Sequence, residues 1–280
     1  MIIFDFNQIV IANLMEQIGS SKKPVEESLV RHMILNTIRA NIRKFREYGE
    51  VVIACDNKKY WRRDVFPYYK ANRKKARADS GHDWASIFEC LHKVKDELKT
   101  YSPYKVIDVD GAEADDVIGV LARKYAPHEK VMILSSDKDF VQLQIYPNVS
   151  QYSPTMKKVI KTDDAGKQLK ELIISGDKSD GIPNILSDDN CLVEGVRQKS
   201  ITKVRMDEML NTVIPVDGND TLKRNWSRNQ QLIDLTYTPD QIVSDVISKY
   251  EEIKPATRQQ FMNYMIANRL KNLIEVIDEF

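Results

Sequence analysis

The chain holds few of the residues that staple a fold or address it to a compartment. Three cysteines, Cys55, Cys90 and Cys191, lie far apart in 280 residues, and no CxxC pair occurs among them. One of three cannot pair internally, so free thiols in a reducing cytoplasm are expected, and a disulfide scaffold is excluded. No apolar run reaches the roughly 18 residues that a membrane span requires, and the apolar start "MIIF" meets Asp5 at once. Neither a membrane helix nor a secretory leader is expected. Histidine is also scarce: His32, His82, His92 and His128 fall outside every acidic motif and are expected at the surface or in helix packing. No internal repeat or low-complexity segment appears. A net charge of +1 points to no partner by itself.

What the chain does have is alternation. Apolar residues at 42% and charged residues at 30% can bury a core as one large domain, or one and a half. "IIFDF" (2–6), "VVIACD" (51–56), "YKVIDVD" (104–110) and "KVMILSSD" (130–137) are short apolar runs with Asp at or near their ends. Between them, Leu29, Met33, Ile38, Ile42 and Phe45 recur at helical spacing, as do Trp84, Ile87, Phe88, Leu91, Val94 and Leu98. "EADDVIGVLARKYA" (113–126) adds another helix. The pattern predicts an α/β fold, with a mostly parallel central sheet flanked by helices on both faces. "VSQYSP" and "KKVIK" predict a hairpin added at the sheet edge. From about residue 165 the pattern is helical. Two units are expected, an α/β unit over 1–165 and a helical C-terminal region over 166–280.

The acids are concentrated where a parallel sheet binds ligands, beyond the carboxyl ends of its strands. Asp5, Asp56, Asp137 and Asp139 sit at strand ends, and Glu113, Asp115 and Asp116 open a helix after the third strand. Asp177 and Asp180 follow in the turn-rich "SGDKSDGIPN". Each acid alone has an ordinary explanation as a helix cap or a dipole partner. Together they repel and would hold some of the group protonated unless a cation joins them. An all-oxygen set without His or Cys selects Mg²⁺, with Mn²⁺ able to substitute. More acids than one octahedral ion needs implies two ions, about 4 Å apart in enzymes that cleave phosphodiesters.

Residues 57–83 hold nine Lys or Arg against three Asp, with Tyr60, Trp61, Phe66, Tyr68 and Tyr69 interleaved. A basic run alone is often a solvated face. Aromatic rings among the cations, with no clean helical stripe to bury them, favour nucleic-acid contact instead.

"FDFNQ", "ACDN", "EADD", "SSDKDF" and "GDKSDGIPN" occur in the order and spacing of the 5′-nuclease superfamily, the flap endonucleases and 5′→3′ exonucleases. "VRHMILNTI", "YWRRD", "HKVKDELK", "YPNVSQYSP" and the final "DEF" resemble the tailed-phage ribonuclease H branch of that superfamily. The resemblance spans nearly the whole chain and implies a PIN-like nuclease domain. By position it implies that Asp5, Asp56, Asp115 and Asp137 hold a first metal, with Glu113 and Asp116 beside them. Asp139, Asp177 and Asp180 match the residues around a second. Lys70 and Arg73 match the family's arch or bridge, here 57–83, as catalytic residues that position and polarise the scissile phosphate. Arg62, Arg63, Lys74 and Lys75 are further nucleic-acid contacts. Tyr69 is either a stacking platform or packing beneath the arch.

One departure is plain. After "GDKSDGIPN" the glycine-rich hairpin usual in the family is replaced by "ILSDDNCLVEGVRQKSITKV", which argues against a potassium site. A modified helix-hairpin-helix near 173–210 is expected to bind duplex, with Lys199, Lys203 and Arg205 on phosphates. The chain opens almost at its first strand, so any clamp contact is expected elsewhere.

The resemblance implies a Mg²⁺-dependent 5′→3′ exonuclease and flap endonuclease with ribonuclease H activity. Its expected substrates are RNA–DNA and DNA duplexes with 5′ ends or flaps, and its expected task is removal of primers and flaps in replication. A single-strand-binding protein or sliding clamp is a candidate partner, and a cytoplasmic monomer is expected. Two rivals share the scaffold: a PIN-type ribonuclease, which uses fewer carboxylates, and a structure-specific DNA-binding protein without chemistry. A phosphatase with Asp5 as nucleophile is disfavoured, because "DFN" offers no second Asp two residues on.

Overall fold

A computed structural model describes residues 1–19, 23–212 and 220–280. The described residues form a six-stranded sheet of β1 (Ile2–Asp5), β2 (Val51–Ala54), β3 (Lys105–Ile107), β4 (Val131–Leu134), β5 (Val149–Ser153) and β6 (Lys158–Ile160). Their order is β3-β2-β1-β4-β5-β6. All neighbours pair in parallel except β5 and β6, which form the expected edge hairpin.

The helices of the first half are α1 (Phe6–Ile18), α2 (Glu27–Lys44), α3 (Arg62–Val65), α4 (Asn72–Ser80), α5 (Trp84–Tyr101) and α6 (Ala114–Tyr125). Those of the second half are α7 (Ala165–Ser175), α8 (Cys191–Glu194), α9 (Lys203–Asn211), α10 (Asp220–Ile233), α11 (Asp240–Glu252), α12 (Arg258–Ala267) and α13 (Lys271–Ile274).

The near-continuous apolar strands are explained by two cores. Ile2, Phe4, Val51, Ile53, Met132 and Leu134 face one core with α1, α2, α5 and α12. Ile3, Val52, Ala54, Val131 and Ile133 alternate onto the other, with α6 and α11. Successive side chains point to opposite faces, so a strand covered on both sides must be apolar throughout. The C-terminal half is divided: α11 and α12 join the sheet's cores, whereas α7 and α10 build smaller ones.

The segment 57–83 corrects one expectation. Phe66 and Tyr69 are buried against Ile173, Ile182, Leu232 and Ile233. These rings found an apolar partner on α7, α10 and the loop after α7, which the local pattern could not reveal. The cations of α4 remain outside, since that helix buries none of its residues.

Candidate active site

The sheet places three of the acids. Asp5 ends β1 and caps α1, accepting the Gln8 amide. Asp56 lies two residues beyond β2, and Asp137 lies beyond β4, capping the 3₁₀ segment Lys138–Ile145. β1 stands between β2 and β4, where the strand order reverses, so these ends open into one crevice. Asp5, Asp56, Glu113, Asp115 and Asp137 line a single cleft of about 580 Å³, together with Lys70.

Few of these charges are neutralised locally. Asp56 accepts the Asn7 amide (2.8 Å) and the backbone N–H of Ala114 (2.9 Å), which ties it to the start of α6. Burial, with the nearby charges of Asp56 and Asp137, pushes the Asp5 carboxyl up to about 7, against a hydrogen bond from Ser135. Burial also drives Asp115 well above the usual carboxylate range; Lys70 opposes the rise, and Glu113, Asp137 and Asp5 add to it. Asp137 is raised by burial and by Asp180 and Asp177, and Asp139 by burial and by the same neighbours with Asp137. The eight acids thus feel one another as a connected group.

Asp116 does not belong to that group. It is fully buried, receives both Arg62 guanidinium nitrogens at 2.9 Å, and also accepts from Trp61 and Thr238. It closes a capping box with Glu113 at the start of α6. Its lone pairs are committed, so its expected place beside a metal is corrected to a structural one.

Arg62 is corrected with it. The side chain is 1% exposed and bonds Glu113, Asp116 and the Leu232 carbonyl, so it cannot reach a nucleic acid. Tyr69, also 1% exposed, offers no face for stacking. Its hydroxyl lies 3.0 Å from both Glu113 and Asp180, so packing beneath the arch is the alternative that holds.

Lys70 joins the two acidic segments. Its ammonium donates to Glu113 (2.6 Å) and lies 3.4 Å from Asp180, while Arg73 also pairs with Asp180. Burial opposes the charge of Asp180, but Lys70 and Arg73 outweigh it and hold its carboxyl below the usual range. Arg63 is exposed beside the cleft, with its guanidinium over the Tyr60 ring, and Lys74 and Lys75 are exposed on α4. Lys199, Lys203 and Arg205 are exposed about 120 to 140 residues further on, Lys199 and Arg205 beside a separate cavity of about 510 Å³.

Sequence reasoning missed several cleft residues. Asn7, Gln8 and Asn57 were legible, being next to Asp5 and Asp56 in the motifs themselves. Phe88 and His92 were not, because Phe88 reads as part of the buried face of a helix and His92 as a surface or helix-packing residue.

The chemistry of the donor set fits divalent cations. Asp139 Oδ1 is buried with no hydrogen-bond partner, and among the described residues no hydrogen bond or ion pair reaches the Asp115 carboxylate. Lys70, Arg73 and Lys138 pair with Glu113, Asp180 and Asp177, and among the described residues no three acids stand together closely enough to hold an ion.

A family model described as the N-terminal resolvase-like domain of 5′-3′ exonucleases matches residues 14–172, and one described as the C-terminal part of T4 RNase H matches residues 164–280. The chain belongs to the 5′-3′ exonuclease family. It is 37% identical to ribonuclease H of Enterobacteria phage T4, over 99% of this chain and 95% of that protein. It is 31% identical to a 5′-3′ exonuclease of Buchnera aphidicola subsp. Schizaphis graminum, over 54% of this chain and 53% of that protein. Among solved structures, the T5 D15 flap endonuclease in a complex with DNA and metal ions matches with a TM-score of 0.66 at 20% identity. That match covers 90% of this chain and 99% of the other. T5 5′-exonuclease with bound zinc matches with a TM-score of 0.63 at 19% identity, over 90% and 98%. These two likenesses establish the fold. Members of the family are nucleases, hydrolases acting on phosphodiesters, and this chain is an enzyme of that class. Among the described residues no helix is long and apolar enough to cross a membrane.

Proposed function

We propose that this nuclease is a Mg²⁺-dependent 5′→3′ exonuclease and flap endonuclease with ribonuclease H activity, which removes RNA primers and 5′ flaps during DNA replication. The supporting observation is one cleft in which five carboxylates meet Lys70 and Arg73. Asp5, Asp56, Asp115 and Asp137 would hold one Mg²⁺, and Asp139, Asp177 and Asp180 a second. Mn²⁺, an equally hard ion, would substitute. When bound, the ions would activate water and stabilise charge on the leaving oxygen.

The chain's own groups do the rest. Glu113 and Asp180 hold Lys70 and Arg73 at the cleft, ready to exchange carboxylate for phosphate. Substrate phosphates entering the site would bind these two cations, polarise toward them, and free Glu113 and Asp180. Arg63, Lys74 and Lys75 would draw in the backbone, and Lys199, Lys203 and Arg205 would hold the duplex behind it. The 1–165 and 166–280 regions would thus act on opposite sides of the cleaved bond, in a cytoplasmic monomer that cooperates with a single-strand-binding protein or sliding clamp.

A titration of Mg²⁺ and Mn²⁺ on a 5′-flap DNA substrate beside a nicked RNA–DNA hybrid tests this reading. Cleavage of both, dependent on either ion, is expected. Undiminished cleavage in excess chelator, or cleavage of single-stranded RNA alone, would reject it.

A further inference from the structure

The cleft has a wall that the acids and the arch lysine do not explain. Trp84, Phe88 and His92 stand one helical turn apart on α5, forming a ladder. Trp84 and Phe88 rings are 5.7 Å apart and tilted by 33°; Phe88 and His92 are 6.4 Å apart and nearly parallel, at 26°. Trp84 is pinned at the outer end, where its indole N–H donates to Ser80 of α4 at 2.8 Å. Phe88 is half-buried and His92 exposed, and both line the same cleft as Asp5 and Asp56.

Cations surround this ladder. The Arg77 guanidinium lies 5.1 Å from the Phe88 ring centre, and Arg63 lies 4.5 Å from that of Tyr60. Among the described residues neither guanidinium is paired with a carboxylate. Lys58 lines the cleft as well. Partial burial and the charges of Lys95 and Lys58 push the His92 imidazole below its ordinary pKa. Rings stepped along a helix, bordered by uncommitted cations and leading to an acid cluster, are what a flexible polyanion with planar bases needs. A ladder serving only the core would be covered, and its cations would have acidic partners.

We propose that Phe88 and His92 are base-stacking residues for the unpaired 5′ segment of the substrate, with Trp84 backing the stack and Arg77 and Lys58 on its phosphates. The inference rests on the nucleic-acid reading above and adds its specificity: unpaired 5′ nucleotides are recognised on α5, before the scissile phosphate reaches the acids. Because every base has a π face, recognition is tolerant of sequence but depends on the strand being unpaired.

The test uses the full chain and a DNA duplex with a short 5′ overhang carrying 2-aminopurine among its unpaired nucleotides. In excess chelator, binding should quench the fluorescence, because stacking on an aromatic ring does so. Phe88→Leu keeps apolar volume against the core and removes the ring, while His92→Ala alters an exposed position that cannot endanger the fold. Each variant should lose most of the quench and raise KM for the overhang substrate roughly tenfold, and more than for a blunt nicked duplex. Phe88→Tyr should restore both. Unchanged quench in both variants, or equal losses on overhang and blunt substrates, overturns the proposal. Quenched binding without cleavage at any metal concentration would instead reject the catalytic reading and leave the stacking site standing.

Discussion

The backbone N–H of Lys70 donates to the carbonyl of Asp180 at 2.7 Å, so the arch is fastened at its base to the loop that carries the last two acids. Lys70 takes a left-handed backbone (φ 56°), which a side-chain-bearing residue adopts only when its surroundings enforce it. Gly181, also left-handed (φ 73°), permits this close approach, since an added Cβ would lie 2.9 Å from the Tyr68 carbonyl. Asn72 and Arg73 add bonds to the Lys178 and Ser179 carbonyls. Two segments about 110 residues apart are therefore one structural joint.

Gly181→Ala should open that joint. The positive φ and the clash with Tyr68 together cost roughly 1–3 kcal/mol. Melting should fall by several degrees, and kcat should fall more than affinity, because Lys70 and Asp180 separate. A variant with native melting and native kcat would show that the close approach is not needed.

Lys70→Ala should depress turnover while sparing binding. A cation that acts mainly on transition-state charge is worth about 10²–10³ in kcat, as for other preorganised donors. Duplex affinity, shared among many cations, should change only a few-fold. An effect confined to KM would make Lys70 a phosphate contact and nothing more. Asp137→Asn provides the complement: it should abolish cleavage and leave duplex binding intact.

The strand-end acids were legible because an apolar run that stops at Asp marks both the sheet and its carboxyl edge in one signal. Asp5, Asp56 and Asp137 needed nothing more. Arg62 was misread, and Tyr69 was left open between stacking and packing, because their partners are distant: Glu113 is 44 residues from Tyr69, and Leu232 is 170 from Arg62. A cationic, aromatic segment looks the same whether it faces a polyanion or a buried carboxylate. Asp116 was swept in with Asp115 for a related reason, since adjacent residues on a helix point about 100° apart. One faces the cleft and the other Arg62.

Arg62 itself gives a sharp contrast between two substitutions. Arg62→Ala leaves Asp116 charged and buried without its cation, and Glu113 with Lys70 alone, which costs about 3–5 kcal/mol. Arg62→Ala with Asp116→Ala removes the second charge too and should recover part of that loss. Chemical denaturation of the wild type, the Arg62→Ala and Asp116→Ala single variants and the double variant measures the coupling. Additive losses would mean that the pair is not the unit it forms here.

The pH dependence of stability follows from the crowded acids. Asp5 titrates near 3.8 when unfolded and is pushed up to about 7 in the fold. Between these values the folded chain holds a proton that the unfolded chain has lost, so folding is favoured most at the acid end of the window. This contribution declines as pH rises toward 7 and is level above it, at about 1.4 kcal/mol per pH unit traversed. Asp115, Asp137 and Asp139 are raised too and act with the same sign. In excess chelator, melting should therefore fall between pH 5 and 7.5, and Asp5→Asn should flatten the fall. Excess Mg²⁺ should reverse the trend if it binds as proposed, because the ion would compete with protons for these carboxylates and bind more strongly as they ionise. Parallel melting curves with and without Mg²⁺ over that range would mean that the ion does not bind where the protons do.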